Sequence, residues 1–79
     1  MEIKILGTGC AYCKNLEKAT RELVEELDLN ATVVKEEDIM NIMAFGVMRT
    51  PGLVINGKVV LSGRVPSSAE LREILQRSS

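Results

Sequence analysis

The stretch Thr50-Pro51-Gly52-Leu53-Val54-Ile55-Asn56-Gly57-Lys58-Val59-Val60-Leu61 decides how the rest of this 79-residue chain is read. Two runs rich in β-forming residues, Leu53 to Ile55 and Lys58 to Leu61, flank Asn56-Gly57. Asn-Gly is the favoured pair of a type I′ turn because both turn residues need positive φ, so the segment is expected to form an antiparallel hairpin. Pro51 has no N–H to donate and keeps Thr50 out of the helical region, so the hairpin is entered through an extended residue.

Working outward toward the C-terminus, Ser67 and Glu70 have the spacing of a capping box, in which each side chain takes up a backbone donor of the other. Leu71, Ile74 and Leu75 then give a last helix, Ser67 to Gln76, its buried stripe. Ahead of the hairpin, Glu36-Glu37-Asp38 puts acids at the start of a short helix, where they favour its positive dipole end. That helix is expected to run to about Phe45 and stop at Gly46, with Ala31 to Lys35 as the strand before it. Further back, Leu16, Thr20, Leu23, Val24 and Leu27 form one apolar stripe at helical spacing, closed by Asp28 to Asn30. Lys14, Glu17, Lys18, Arg21, Glu22 and Glu25 make the opposite, solvated face. Glu2 to Leu6 reads as a first strand, ended by Gly7-Thr8-Gly9.

The order is β-α-β-α-β-β-α. Two crossover connections are expected to bring the first three strands into one sheet, with the hairpin adding an antiparallel edge. The fold class is α/β: a four-stranded mixed sheet flanked by three helices, in one domain covering residues 1–79. A chain of this length forms one domain and buries only about two-thirds of its unfolded surface.

Ten basic and eleven acidic residues nearly cancel, no Lys/Arg block occurs, and the only aromatics are Tyr12 and Phe45. Phosphate tracking needs clustered cations and base stacking needs aromatic platforms, so nucleic acid is not an expected partner. No apolar run approaches the ~18 residues of a membrane span. The start, Met1-Glu2-Ile3-Lys4, lacks the apolar centre of a signal peptide. A cytoplasmic location is therefore expected, where thiols stay mostly reduced and a structural disulfide is a poor account of two cysteines.

Those cysteines stand in Cys10-Ala11-Tyr12-Cys13, where the first strand turns into the first helix. Positions i and i+3 of a first helical turn share a face, within the Cα separation that a disulfide tolerates. Unpaired N–H groups and the positive dipole end favour a thiolate at Cys10, which makes it the expected nucleophile. Cys13, one turn inside, suits the resolving role, attacking the mixed disulfide to release reduced substrate. Structural zinc would need four ligands, and the chain has two cysteines and no histidine. Two buried structural cysteines are a second alternative. The third is a soft-metal carrier that binds Cu(I) through the same thiolate pair.

With Cys10-Ala11-Tyr12-Cys13 after the first strand, and Thr50-Pro51 at the entry to the Asn56-Gly57 hairpin, the chain resembles the small thioredoxin-like and glutaredoxin-like redox proteins. The resemblance covers essentially the whole chain in order and implies a minimal thioredoxin fold. It further implies a cis Thr50–Pro51 bond beside the cysteines, with the backbone of Thr50 hydrogen-bonding an extended substrate. Ala11, Tyr12, Thr50, Pro51 and Gly63 become the expected substrate-facing residues. By the same resemblance the chain is a monomeric reductant of protein disulfides, recharged by a thioredoxin-reductase-type donor, with no bound cofactor and no metal. It departs from larger thioredoxins in having no Trp and in offering Lys4 where they bury an acid. It departs from glutaredoxins in Ala11 and in Ser62-Gly63-Arg64-Val65, which lacks a Gly-Gly-x-Asp element. The copper-chaperone family also carries CxxC after its first strand, but its order is βαββαβ and it ends in a strand. An inactive redox-fold module that only binds partners is a further alternative.

Met40, Met43 and Met48 are expected to fill core gaps, with a soft apolar rim around Cys10 as the functional alternative. Arg49 and Lys14 are read either as supports for a thiolate or acidic partner or as solvated cations. Gly63 either allows close backbone approach or merely ends a strand.

Overall fold

Alternation along β1 (Glu2–Leu6) sends Ile3 and Ile5 to one side of the sheet and Lys4 and Leu6 to the other. The computed structural model, which describes residues 1–8 and 11–78, builds the chain around this strand. The sheet order is β2-β1-β3-β4, with β2 (Thr32–Glu36), β3 (Gly52–Ile55) and β4 (Lys58–Ser62). All four residues of β3 are buried, which explains its unbroken apolar run: a central strand faces covered layers on both sides. α1 (Ala11–Glu26) and α3 (Ser68–Ser78) cover one face through Leu16, Leu23, Leu71 and Leu75, packed on Ile3, Ile5, Leu53 and Ile55. α2 (Ile39–Ala44) covers the other through Ile42, with Val47 beside it, on Leu6 and Val54.

The Asn56-Gly57 turn forms as its residues demand, with φ of 52° and 82°. Asn56 also clasps β1: its amide donates to the Glu2 carbonyl at 2.7 Å, and its Oδ1 accepts from the Glu2 amide at 2.8 Å. In β4 the register slips between Leu53–Leu61 and Val54–Val59, leaving Val60 as a bulge. Asp28, at φ 52°, ends α1 in a Schellman pattern, with Leu29 donating to Val24 and Asp28 to Glu25.

Four sequence expectations are corrected. β2 runs Thr32–Glu36 rather than 31–35, because its register is set by parallel pairing with β1, ending at Leu6 opposite Glu36. Glu36 is thus a strand residue, and Asp38 alone caps α2, accepting from the Met40 amide at 2.9 Å. Only the first connection is a parallel crossover; β3 runs antiparallel to β1. A six-residue helix rises only ~9 Å, too short to carry the chain back along a five-residue strand of ~16 Å. β3 therefore starts at the end of the sheet where β2 finishes. Finally, the capping box is half made. The Ser67 hydroxyl accepts from the Glu70 amide at 3.2 Å, while the Glu70 carboxylate binds Arg64 instead, and α3 extends to Ser78.

Candidate active site

Leu6 is paired with Glu36 on one side and Gly52 on the other, so β1 and β2 end where β3 begins. This single register brings the exit of β1 and the Thr50–Pro51 segment to the same end of the sheet. Beyond Leu6 the sequence runs through Gly7 and Thr8 to Gly9 and Cys10. The last two, including the expected nucleophile, lie outside the described residues. α1 takes up the description at Ala11, with Ala11 and Tyr12 exposed and Cys13, on the same first turn, only 5% exposed.

Gly7 is buried, and its amide donates to the Glu36 carbonyl at 3.0 Å, one step past the β1–β2 ladder. The Cys13 sulfur lies directly against it: a Cβ on Gly7 would stand 2.2 Å from that Sγ. On the other side, the Thr50–Pro51 peptide is cis, with Thr50 exposed and Pro51 buried. The Pro51 carbonyl accepts from the Gly63 amide at 2.9 Å. Gly63 adopts φ 80°, and a Cβ there would press within 3.3 Å of the Arg49 side chain. Left-handed backbone and crowding against Arg49 both favour glycine at this position. The structure joins Pro51 and Gly63, with Thr50 at the cis bond, in one arm, and Ala11, Tyr12 and Cys13 in the first turn of α1.

Arg64, next to Gly63, is held against α3 by both oxygens of Glu70, with Nη1 donating to Oε1 at 2.8 Å. The hydrogen bonds to Arg64 hold the Glu70 carboxyl below the usual range, and the Arg64 guanidinium is correspondingly raised. Lys4 directs its ammonium over the Phe45 ring, 5.5 Å from the centroid, on the α2 side of β1. Among the described residues Thr20 is the only buried polar side chain, its hydroxyl donating to the Leu16 carbonyl at 2.7 Å. Among the described residues, no carboxylate is buried.

The methionines reverse their default reading. Met40, Met43 and Met48 are 73%, 65% and 97% exposed, so they do not fill the core. The cause is the shortness of α2: Ile42 alone reaches the sheet, and Leu6, Val47 and Val54 complete that layer. Met43 and Met48 instead join Ile39, Ile42 and Val47 around a groove of about 530 Å³, which is also walled by Thr8 and Thr50. Thr8 precedes the cysteine motif by two positions and Thr50 opens the cis bond, so the groove reaches the site from both strands. Gly7, Thr8 and Val47 were not singled out by sequence reasoning. The signal for Gly7 was faint: a glycine at a strand end that no turn requires.

The thioredoxin-domain family model matches residues 1–76 of the chain. A thioredoxin of Methanothermobacter thermautotrophicus is 43% identical over 75 residues, covering 95% of this chain and 97% of that protein. A thioredoxin of Methanocaldococcus jannaschii is 38% identical over 74 residues, 94% of this chain and 85% of its own length. A probable thioredoxin of Archaeoglobus fulgidus is 34% identical over 71 residues, covering 86% of this chain and 77% of that protein.

Proposed function

The chain belongs to the thioredoxin family and is by kind an oxidoreductase, and from that membership we propose that it reduces protein disulfides through Cys10 and Cys13. The Cys10 thiolate attacks one sulfur of the substrate disulfide. A Cys10–substrate S–S bond forms, and the other substrate sulfur leaves with the bonding pair and takes up a proton. Cys13, deprotonated in turn, attacks the Cys10 sulfur; the intramolecular disulfide forms and the second substrate sulfur leaves as a thiol. The substrate gains two electrons and two protons, and a thioredoxin-reductase-type donor returns the pair to the dithiol. The cysteines themselves carry the electrons, so no bound cofactor is called for.

The observation that supports this reading is that β1, which leads into the Cys13 turn, ends at the end of the sheet where β3 begins after the cis Thr50–Pro51 bond. The exposed Thr50 gives its backbone to an extended substrate segment, and Tyr12 and Ala11 face that segment from α1. The groove between Thr8 and Thr50 takes an apolar side chain flanking the substrate cysteine, against Met43 and Met48. Flexible thioethers suit varied partners of this kind. The protein acts as a monomer of one domain in the cytoplasm.

Insulin reduction driven by dithiothreitol tests the assignment. Cys10→Ser abolishes activity, and Cys13→Ser accumulates a mixed disulfide on Cys10 that mass spectrometry detects. A wild-type chain without reductase activity, together with tight stoichiometric Cu(I) binding by the two thiolates, overturns it in favour of a metal carrier.

A further inference from the structure

Gly46, Gly57 and Gly63 occupy left-handed backbone, whereas Gly7 does not, so conformation gives no reason for glycine at position 7. Space does. A Cβ built there would lie 2.2 Å from Cys13 Sγ, 2.8 Å from Cys13 Cβ and 4.0 Å from its Cα. Van der Waals contact between carbon atoms begins near 3.5 Å, so the cysteine side chain occupies the volume that any other residue would fill. Neither partner has an easy retreat. Gly7 is fixed by its hydrogen bond to Glu36, and the Leu6 before it is wholly buried between two paired strands. Rotating the Cys13 side chain would move the sulfur but leave the Cβ contact, so relief would also require a shift of the first turn of α1.

We propose that Gly7 is a positioning residue for the Cys13 sulfur: the missing side chain is the slot that holds this atom under the surface, where it must lie to attack the bond on Cys10. The assignment rests on Cys13 as the resolving thiol. In that step Cys13 forms its S–S bond to Cys10, while the substrate sulfur leaves with the electron pair and is protonated by solvent. Gly7 takes no part in the bond changes of this scheme; it acts only through where it lets Cys13 stand.

Gly7→Ala tests this, since alanine suits an extended backbone and adds only the one methyl group. Displacing a reacting atom by about 1 Å costs up to ~10²-fold in rate. The variant is therefore expected to lose about tenfold or more in kcat for insulin reduction, with KM unchanged and a mixed disulfide accumulating during turnover. A second readout is independent of redox activity. In a reduced Cys10→Ser background, iodoacetamide alkylates Cys13, and Gly7→Ala is expected to speed this by about tenfold as the sulfur is expelled from its slot. Unchanged alkylation overturns the proposal, whatever happens to turnover. Faster alkylation in a protein whose wild type shows no reductase activity upholds the slot and overturns the disulfide-reductase reading alone. Should Gly7→Ala fail to fold, the added Cys13→Gly change removes both the atom at 2.2 Å and the one at 2.8 Å and is expected to restore the circular-dichroism spectrum; continued unfolding overturns the proposal.

Discussion

On one face of the sheet, α1 and α3 bring Leu16, Leu71 and Leu75 down on Ile3, Ile5, Leu53 and Ile55, and all seven are at most 4% exposed. On the other, α2 contributes Ile42 to a layer completed by Leu6, Val47 and Val54, while Ile39, Met40, Met43 and Met48 stand in solvent. Both helical coverings are rich in apolar residues, yet one is a closed core and the other an open groove. Composition does not distinguish them; helix length does. Sixteen and eleven residues give α1 and α3 several turns to lay against the sheet, whereas six give α2 one buried anchor. The small α2 face leaves apolar surface over beside the redox motif, and the proposed function uses that surplus for substrate.

The contrast is most open to attack through stability. Leu16→Ala empties a fully buried site on the closed face and is expected to cost about 3–5 kcal/mol in urea unfolding. Ile42→Ala, against the thinner layer, is expected at about 2–3 kcal/mol; equal costs would erase the distinction between the faces. Met43→Ser and Met48→Ser are expected to change stability by no more than ~0.5 kcal/mol, while each raises KM for insulin severalfold at nearly constant kcat. A stability loss with KM unmoved would return these methionines to the core.

The smallest effect belongs to the Arg64–Glu70 pair, which ties the loop after Gly63 to α3. The folded-state carboxyl lies below its ordinary value of 4.5, because the Arg64 hydrogen bonds favour the charged form. Its contribution is therefore fully present above that value and is lost as pH falls through the folded one. Both groups are solvated, so the effect is small. The difference in melting temperature between wild type and Glu70→Gln is expected to be visible at pH 7 and to close in the acid range. A gap that persists below the folded value would assign Glu70 another role.

Features set by local chemistry were the legible ones. Asn56-Gly57 specifies its own turn, and the apolar stripe of α1 specifies its buried face. Features that depend on a partner were not. β2 is a mostly exposed edge whose register comes from β1, not from its own pattern, and so its bounds shifted by one residue. The reach of Arg64 to Glu70 displaced the second half of the capping box, since a guanidinium competes well for a carboxylate. The methionines were misread because an apolar run at helical spacing signals burial only when the helix is long enough to be pressed on the sheet. Gly7 was passed over because its requirement is the space occupied by Cys13, six positions away in sequence.

The central claim, that this chain is a protein disulfide reductant working through Cys10 and Cys13, is tested most directly by the potential of that pair in a defined thiol buffer. The oxidised fraction is read by mass spectrometry after acid quenching and alkylation. The account predicts a couple close to that of thioredoxin, about −270 mV. A potential near −120 mV, that of a strong oxidant, or a pair that never exchanges with the buffer, would contradict it.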